Sequence, residues 1–315
     1  MPDAERKRIQ VNLVPNGGWD SRILVVRCEP VVDAFIVVTQ RFVVLVDTFI
    51  SPTTARELLK NAHNHLDGER QLLVVNTHAD WDHSWGNQIF AGRHAEHPAV
   101  LIGSRLSAAE FERPESKAHL KEMQANNPGS FDDVQLTPPN LLFDERIQIN
   151  GGDLTLELFM ATGHTHDHAA VYIPEINTLL AGDAAENPYP EARESRLFPQ
   201  MVATLKQLVG MLPATVLYCH APGFHDASLL QANLDYFQAL ETCCREALRR
   251  GLPEPLPEDQ QLPVLIGCPF EQAIPASLNK PELHEYYRTA GHGKQLRMTL
   301  EMLRARGVGR EVASI

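Results

Sequence analysis

Long apolar runs are missing from this 315-residue chain. None approaches the ~18 residues that a membrane span needs. The opening MPDAERKRIQ carries charges but no apolar h-region, so the sequence predicts neither a spanning helix nor a secretory signal. Cysteine is scarce. Cys28, Cys219, Cys243, Cys244 and Cys268 are odd in number and never spaced CxxC, which fits a reducing cytoplasm better than a disulfide framework. Positive charge is short as well. With 28 Lys+Arg against 40 Asp+Glu the formal net charge is −12, so nucleic acid is not the expected partner, because its phosphates would be repelled. There is no internal repeat and no low-complexity segment. What remains, 43% hydrophobic and 22% charged, is ordinary for a globular protein with a sizeable core.

Runs rich in Val and Ile at 23–28, 34–38 and 41–47 are separated by short polar breaks and predict a β-meander. Ser51 as cap and Pro52 in the first turn open a helix to residue 61. Strands are expected at 71–77, 100–103, 146–149, 154–160, 178–181 and 215–218, alternating with helices; the fold class is therefore α/β. Residues 105–124 read as a charged, solvated helical excursion. Leu229, Leu230, Leu234, Phe237, Leu240, Cys244 and Leu248 recur at steps of three or four, an amphipathic helix stopped at Gly251. LPEPLPEDQQLP then reads as a linker, and Leu296, Leu300 and Leu303 mark a closing helix. The division expected is a domain over 1–250 and a linker with a C-terminal helical extension over 251–315.

Four apolar runs each deliver metal-ligand side chains at their C-terminal ends. LLVVNT leads to His78, Asp80, Asp82 and His83; LELFMATG to His164; TLLAG to Asp183; TVLYC to His220. In α/β folds the functional crevice lies beyond those ends. Scattered surface histidines would not keep that rule, and a core role would have to account for all of them together.

In these four segments, HADWDH (78–83), TGHTHDH (162–168), AGDA (181–184) and CHAPG (219–223), the sequence resembles the metallo-β-lactamase superfamily and its glyoxalase II-like hydrolases over roughly residues 10–245. The resemblance implies a four-layer αβ/βα sandwich holding two divalent ions, zinc first, with manganese or iron as alternatives. Carried over, His78, Asp80 and His164 would hold one ion, Asp82, His83 and His220 the other, and Asp183 would bridge. A metal-bound hydroxide would then cleave an ester, thioester, lactone or amide bond of a small molecule, with Asp82 as proton carrier. No cysteine belongs to the set, so a closed structural zinc site is not implied.

Asp80 departs from the family, which usually has His there. A third carboxylate lowers the centre's formal charge and favours harder cations. A carboxylate at that position also occurs in flavo-diiron oxygen reductases, so iron redox chemistry is the rival expectation. Nothing after Gly251 is long enough for their flavin domain. A phosphodiesterase or nuclease would use the same centre. His168, in the second motif, and Tyr287 and His292, in the extension with His284 and Tyr286, are candidates for substrate contact. His166 and Asp167 are candidates for orienting ligands. Trp81 is expected to wall the pocket and Trp85 to pack beneath the helix that starts at Asp82. His63, His65, His94 and His97 read as solvated, and Cys219 as a small buried side chain. A homodimer through the C-terminal helix is the remaining expectation.

Overall fold

The computed structural model describes residues 9–66, 68–93 and 95–308; His94 and the opening eight residues lie outside the described residues. It is a mixed α/β structure with two sheets and helices and a helical C-terminal region, as the resemblance implies. The chain forms two compact units. One comprises Met1–Met160 with Asp167–Gly182, the other Ala161–His166 with Asp183–Ile315.

The first unit is built on a seven-stranded sheet in sequence order: β1 (Gln10–Leu13), β2 (Ile23–Glu29), β3 (Val32–Val38), β4 (Phe42–Val46), β5 (Gln71–Val75), β6 (Val100–Ser104) and β7 (Leu141–Phe143). The meander β1–β4 is antiparallel, and β4–β7 are parallel. Helix α1 (Pro52–Ala62) makes the crossover from β4 to β5, with Ser51 and Thr54 closing a reciprocal cap. After β5 come the one-turn α2 (Trp81–Ser84), and after β6 α3 (Arg105–Glu110) and α4 (Pro114–Asn126). No residue of α4 is buried, as expected of a solvated excursion, whereas Ser107 and Phe111 at the start of that stretch are buried. The same unit carries β8 (Arg146–Asn150), β9 (Thr155–Met160), β10 (Ala169–Ile173) and β11 (Thr178–Gly182), paired antiparallel in that order. Val and Ile fill the interior of β3 and β4, which are buried on both faces.

The second unit contains α5 (Phe198–Gly210), β12 (Thr215–Tyr218), the long α6 (Ser228–Arg250), the short α7 (Leu262–Ile266), α8 (Phe270–Ala273) and α9 (Glu285–Arg288), and α10 (Ala290–Ala305). Gly251, at φ 85°, ends α6 where the sequence placed the stop. Leu296, Leu300 and Leu303 are fully buried on α10, which packs on α6. The proline-rich stretch is not simply a linker: Asp259–Gln261 forms a 3-10 turn against α10. Among the described residues no helix is long and apolar enough to cross a membrane.

Candidate metal centre

In the first unit the centre grows from the ends of β4 and β5. The parallel register Val46↔Val75 continues one step, with the Asp47 amide donating to the Val75 carbonyl at 2.7 Å. Asp47 then takes φ 70°, a left-handed backbone that costs a side-chain-bearing residue about 1–3 kcal/mol. Its carboxylate offsets that cost with three hydrogen bonds. Oδ1 accepts from the Thr77 amide at 2.8 Å, and Oδ2 accepts from Thr77 Oγ1 at 2.8 Å and from His83 Nδ1 at 2.9 Å. Asn76 and Asn87 exchange amide bonds of 2.8 and 3.1 Å beneath this layer. The sequence alone gave no role to Asp47; its only signal was an acid at the C-terminal end of an apolar run.

Proton counting then fixes two tautomers. Thr77 Oγ1 gives its one proton to Asp47, so at 3.0 Å it can only accept from His78 Nδ1. Asp47 is an acceptor, so His83 Nδ1 also carries its proton. In the neutral rings both Nε2 atoms are then left with lone pairs. His78 Nε2 faces Asp80 Oδ2 at 3.4 Å, and His83 Nε2 faces Asp82 Oδ2 at 3.8 Å. Lone pair against carboxylate is repulsive unless a proton or a metal cation stands between them. Neighbouring donors on a tetrahedral zinc with bonds of 2.0–2.2 Å are about 3.3–3.6 Å apart. The donor set fits a divalent ion, with the His78–Asp80 spacing inside that range and the His83–Asp82 spacing just above it.

Asp80 sits at the N-cap of α2, but its side chain makes no capping bond, which leaves the carboxylate directed at His78. His168 is fully buried. Its ring lies 5.0 Å from the His78 ring and against Gly182, where a Cβ would come within 2.5 Å of Nε2. Asp167 Oδ2 accepts from the Ala79 amide at 2.9 Å, so it braces the backbone of the first motif. Trp85 is buried and meets Trp81, Phe131 and His119 ring to ring at 6.2, 5.5 and 5.8 Å, while Trp81 is half-buried. His63 is exposed.

In the second unit His164 occupies a turn that packs against α5. A Cβ on Gly163, at φ 149°, would lie 2.4 Å from Met201 Cα, and Thr204 Oγ1 donates to the Thr162 carbonyl. Asp183 Oδ2 lies 3.3 Å from His220 Nε2 and 3.7 Å from His164 Nε2. Glu186, which sequence reasoning missed, brings Oε1 to 3.4 Å from His164 Nδ1; His164, Asp183 and Glu186 offer ligand atoms within 4.8 Å of one another. Its placement comes from α6. Buried Asn233 Oδ1 accepts from the Glu186 amide at 2.9 Å, and its Nδ2 donates to the Pro188 carbonyl at 2.8 Å. Burial, and then the charge of Asp183, push Glu186 up to about 7, with His164 and His220 opposing.

The extension residues divide. Tyr287 is half-buried; burial and then Glu186 and Glu191 raise its phenol, and His220 opposes them. Its carbonyl accepts from Tyr189 Oη at 2.9 Å. His292 instead is wholly buried, with Nε2 donating to the Cys268 carbonyl at 2.8 Å and Nδ1 accepting from Tyr236 Oη at 2.9 Å. His284 is exposed and caps α9, and Tyr286 is exposed.

A family model described as the metallo-beta-lactamase superfamily matches residues 29–234. No curated protein matches the sequence. Among solved structures, a beta-lactamase domain protein from Burkholderia ambifaria is similar at 17% identity and TM-score 0.64, covering 94% of this chain and 88% of its own. A metallo-beta-lactamase family protein from Thermus thermophilus gives 19% and 0.60 with 94% of each chain covered, and a metallo-beta-lactamase from Pontibacter korlensis 20% and 0.54 with 73% and 99%. At these identities the structures speak for the fold, and the family model spans most of the chain: it belongs to the metallo-β-lactamase superfamily.

Proposed function

We propose that this chain is a metal-dependent hydrolase that cleaves an ester, thioester, lactone or amide bond of a small molecule. Two divalent ions, zinc by preference, would be held by His78, Asp80 and His164 and by Asp82, His83 and His220, with Asp183 shared. The observation that carries the reading is the pair of histidines whose Nδ1 atoms are engaged by Thr77 and Asp47 and whose Nε2 atoms face the carboxylates of Asp80 and Asp82. The ions, when bound, acidify a water and hold the oxyanion that develops at the carbonyl. Asp82 is the residue that holds a proton beside them. Asp47 keeps His83 in the metal-binding tautomer, and Thr77 does so for His78. Tyr287, near Glu186 and His220, is the substrate-facing candidate; His292, with both ring nitrogens engaged, ties α10 to α6 and to the Cys268 backbone instead.

Metal analysis of protein purified without added metal, beside Asp80→His and with a generic ester and a phosphodiester as substrates, tests this. About two zinc or manganese per chain with ester hydrolysis is expected. Iron with little hydrolysis moves the function to redox chemistry, phosphodiester preference moves it to that class, and no metal with no effect of chelation overturns it.

A further inference from the structure

We propose that Glu186 is a positioning residue of the metal centre: it accepts the Nδ1 proton of His164 and thereby turns Nε2 of that ring, as a lone pair, toward the ion beside Asp183. The proposal rests on the metal-centre reading above. His164 has a carboxylate at each nitrogen, Glu186 Oε1 at 3.4 Å from Nδ1 and Asp183 Oδ2 at 3.7 Å from Nε2. The first unit contains the same arrangement in finished form. There Asp47 holds Nδ1 of His83 at 2.9 Å, and Asp82 stands 3.8 Å from Nε2. Two histidines in two separate units are thus each set between an outer carboxylate and a ligand carboxylate.

Two further observations favour Glu186 for this task. Its buried Oε1 has no hydrogen-bond partner among the described residues, and His164 Nδ1 stands 3.4 Å from it. Its backbone is pinned through Asn233 on α6, so the carboxylate is supplied from a rigid element. A small rotation about the side-chain torsions brings 3.4 Å to the 2.7–2.9 Å typical of a charge-assisted hydrogen bond. Carboxylates that orient a ligating imidazole also raise its basicity, and their loss typically lowers metal affinity about 10–100-fold. Glu186 stands three residues beyond the Gly-Asp of the third motif and is none of the motif ligand positions.

The test is chelator competition with zinc on wild type, Glu186→Ala and Glu186→Gln, together with the visible spectrum of each protein loaded with cobalt(II). We expect Glu186→Ala to lose about 10–100-fold in affinity for one ion. Glu186→Gln keeps an oxygen that accepts the Nδ1 proton, so it should recover most of that loss. The cobalt bands should keep their energies, because no ligand has been removed. Wild-type affinity in Glu186→Ala overturns the proposal and leaves the hydrolase reading standing. A Gln variant as weak as Ala with shifted cobalt bands overturns it as well, making Glu186 a ligand. A wild-type protein that binds no zinc removes both readings.

Discussion

Two oxygens of Asp47 accept three hydrogen bonds at a backbone angle that disfavours any side chain. Asn at that position has one acceptor oxygen, so at least one of the Thr77 or His83 donors would face an amide NH2. The cost of a buried, mismatched donor is about 1–3 kcal/mol. Asp47→Asn should therefore destabilise the metal-free protein by that amount in denaturant titrations, and weaken one metal by about 10–100-fold. Unchanged values in both would remove Asp47 from the centre. His292 makes a second residue-level prediction. Burial lowers its pKa, opposed by the Cys268 carbonyl and by Glu271. A depressed folded pKa means that the unfolded chain binds more protons, so stability is complete above the unfolded value of about 6.5 and falls as pH drops below it. His292→Gln should be less stable than wild type at pH 8 yet show a flatter loss between about pH 6.5 and 5; a slope equal to that of wild type would show that other groups carry the effect. The seven proposed ligands stood out in the sequence because each lies just beyond an apolar run. Asp47 and Glu186 were not, since an isolated acid without a motif looks the same whether it is solvated or set against an imidazole.

Among the elements, α10 places Gly293 where a neighbouring backbone arrives. A Cβ there would stand 1.8 Å from the Asp259 carbonyl oxygen, in a turn that Arg297 Nε ties to Asp259 Oδ1 at 2.5 Å. Alanine normally gains about 0.8–1 kcal/mol over glycine inside a helix. Here the turn would have to move, at about 1–3 kcal/mol. Gly293→Ala should destabilise, whereas Gly210→Ala at the end of α5, with nothing within 4 Å of its Cβ, should be neutral or stabilise by up to about 1 kcal/mol. Urea midpoints of the two variants check the opposite signs. The same packing explains which elements the sequence revealed. Helix α6 and strands β2 to β5 carry strong periodicity or dense Val and Ile. Strand β10, AAVYI, follows a polar histidine turn and starts with two alanines, so its pattern is weak, yet pairing with β9 on one side and β11 on the other makes it a strand. Three-residue β7 and the exposed edge strand β1 are too short or too polar to signal themselves. Helix α2 starts at Trp81, one residue before the start inferred from the motif, because Asp80 takes the cap position.

Over the whole molecule, order along the chain was the most legible feature, since four ligand-bearing segments in one sequence fix the family. The arrangement of the second unit was not, because α7 to α9 are short and are tied in by buried hydrogen bonds such as that of His292 on α10 to the Cys268 carbonyl between α7 and α8. The proposed ligands are divided between the two compact units, His78, Asp80, Asp82 and His83 in one and His164, Asp183 and His220 in the other. Metal that binds the folded chain and not the unfolded one stabilises it by RT ln(1 + [L]/Kd), about 2.7 kcal/mol at a hundredfold excess over Kd. If both units supply ligands, that stabilisation reaches both. Amide exchange should slow on zinc addition around residues 77–83 and around 183–187 and 219–221 alike, and chelator should reverse all three. Protection confined to one unit would mean that its ligands hold metal without the other's, and the shared centre would have to be given up in favour of a site contained within that unit.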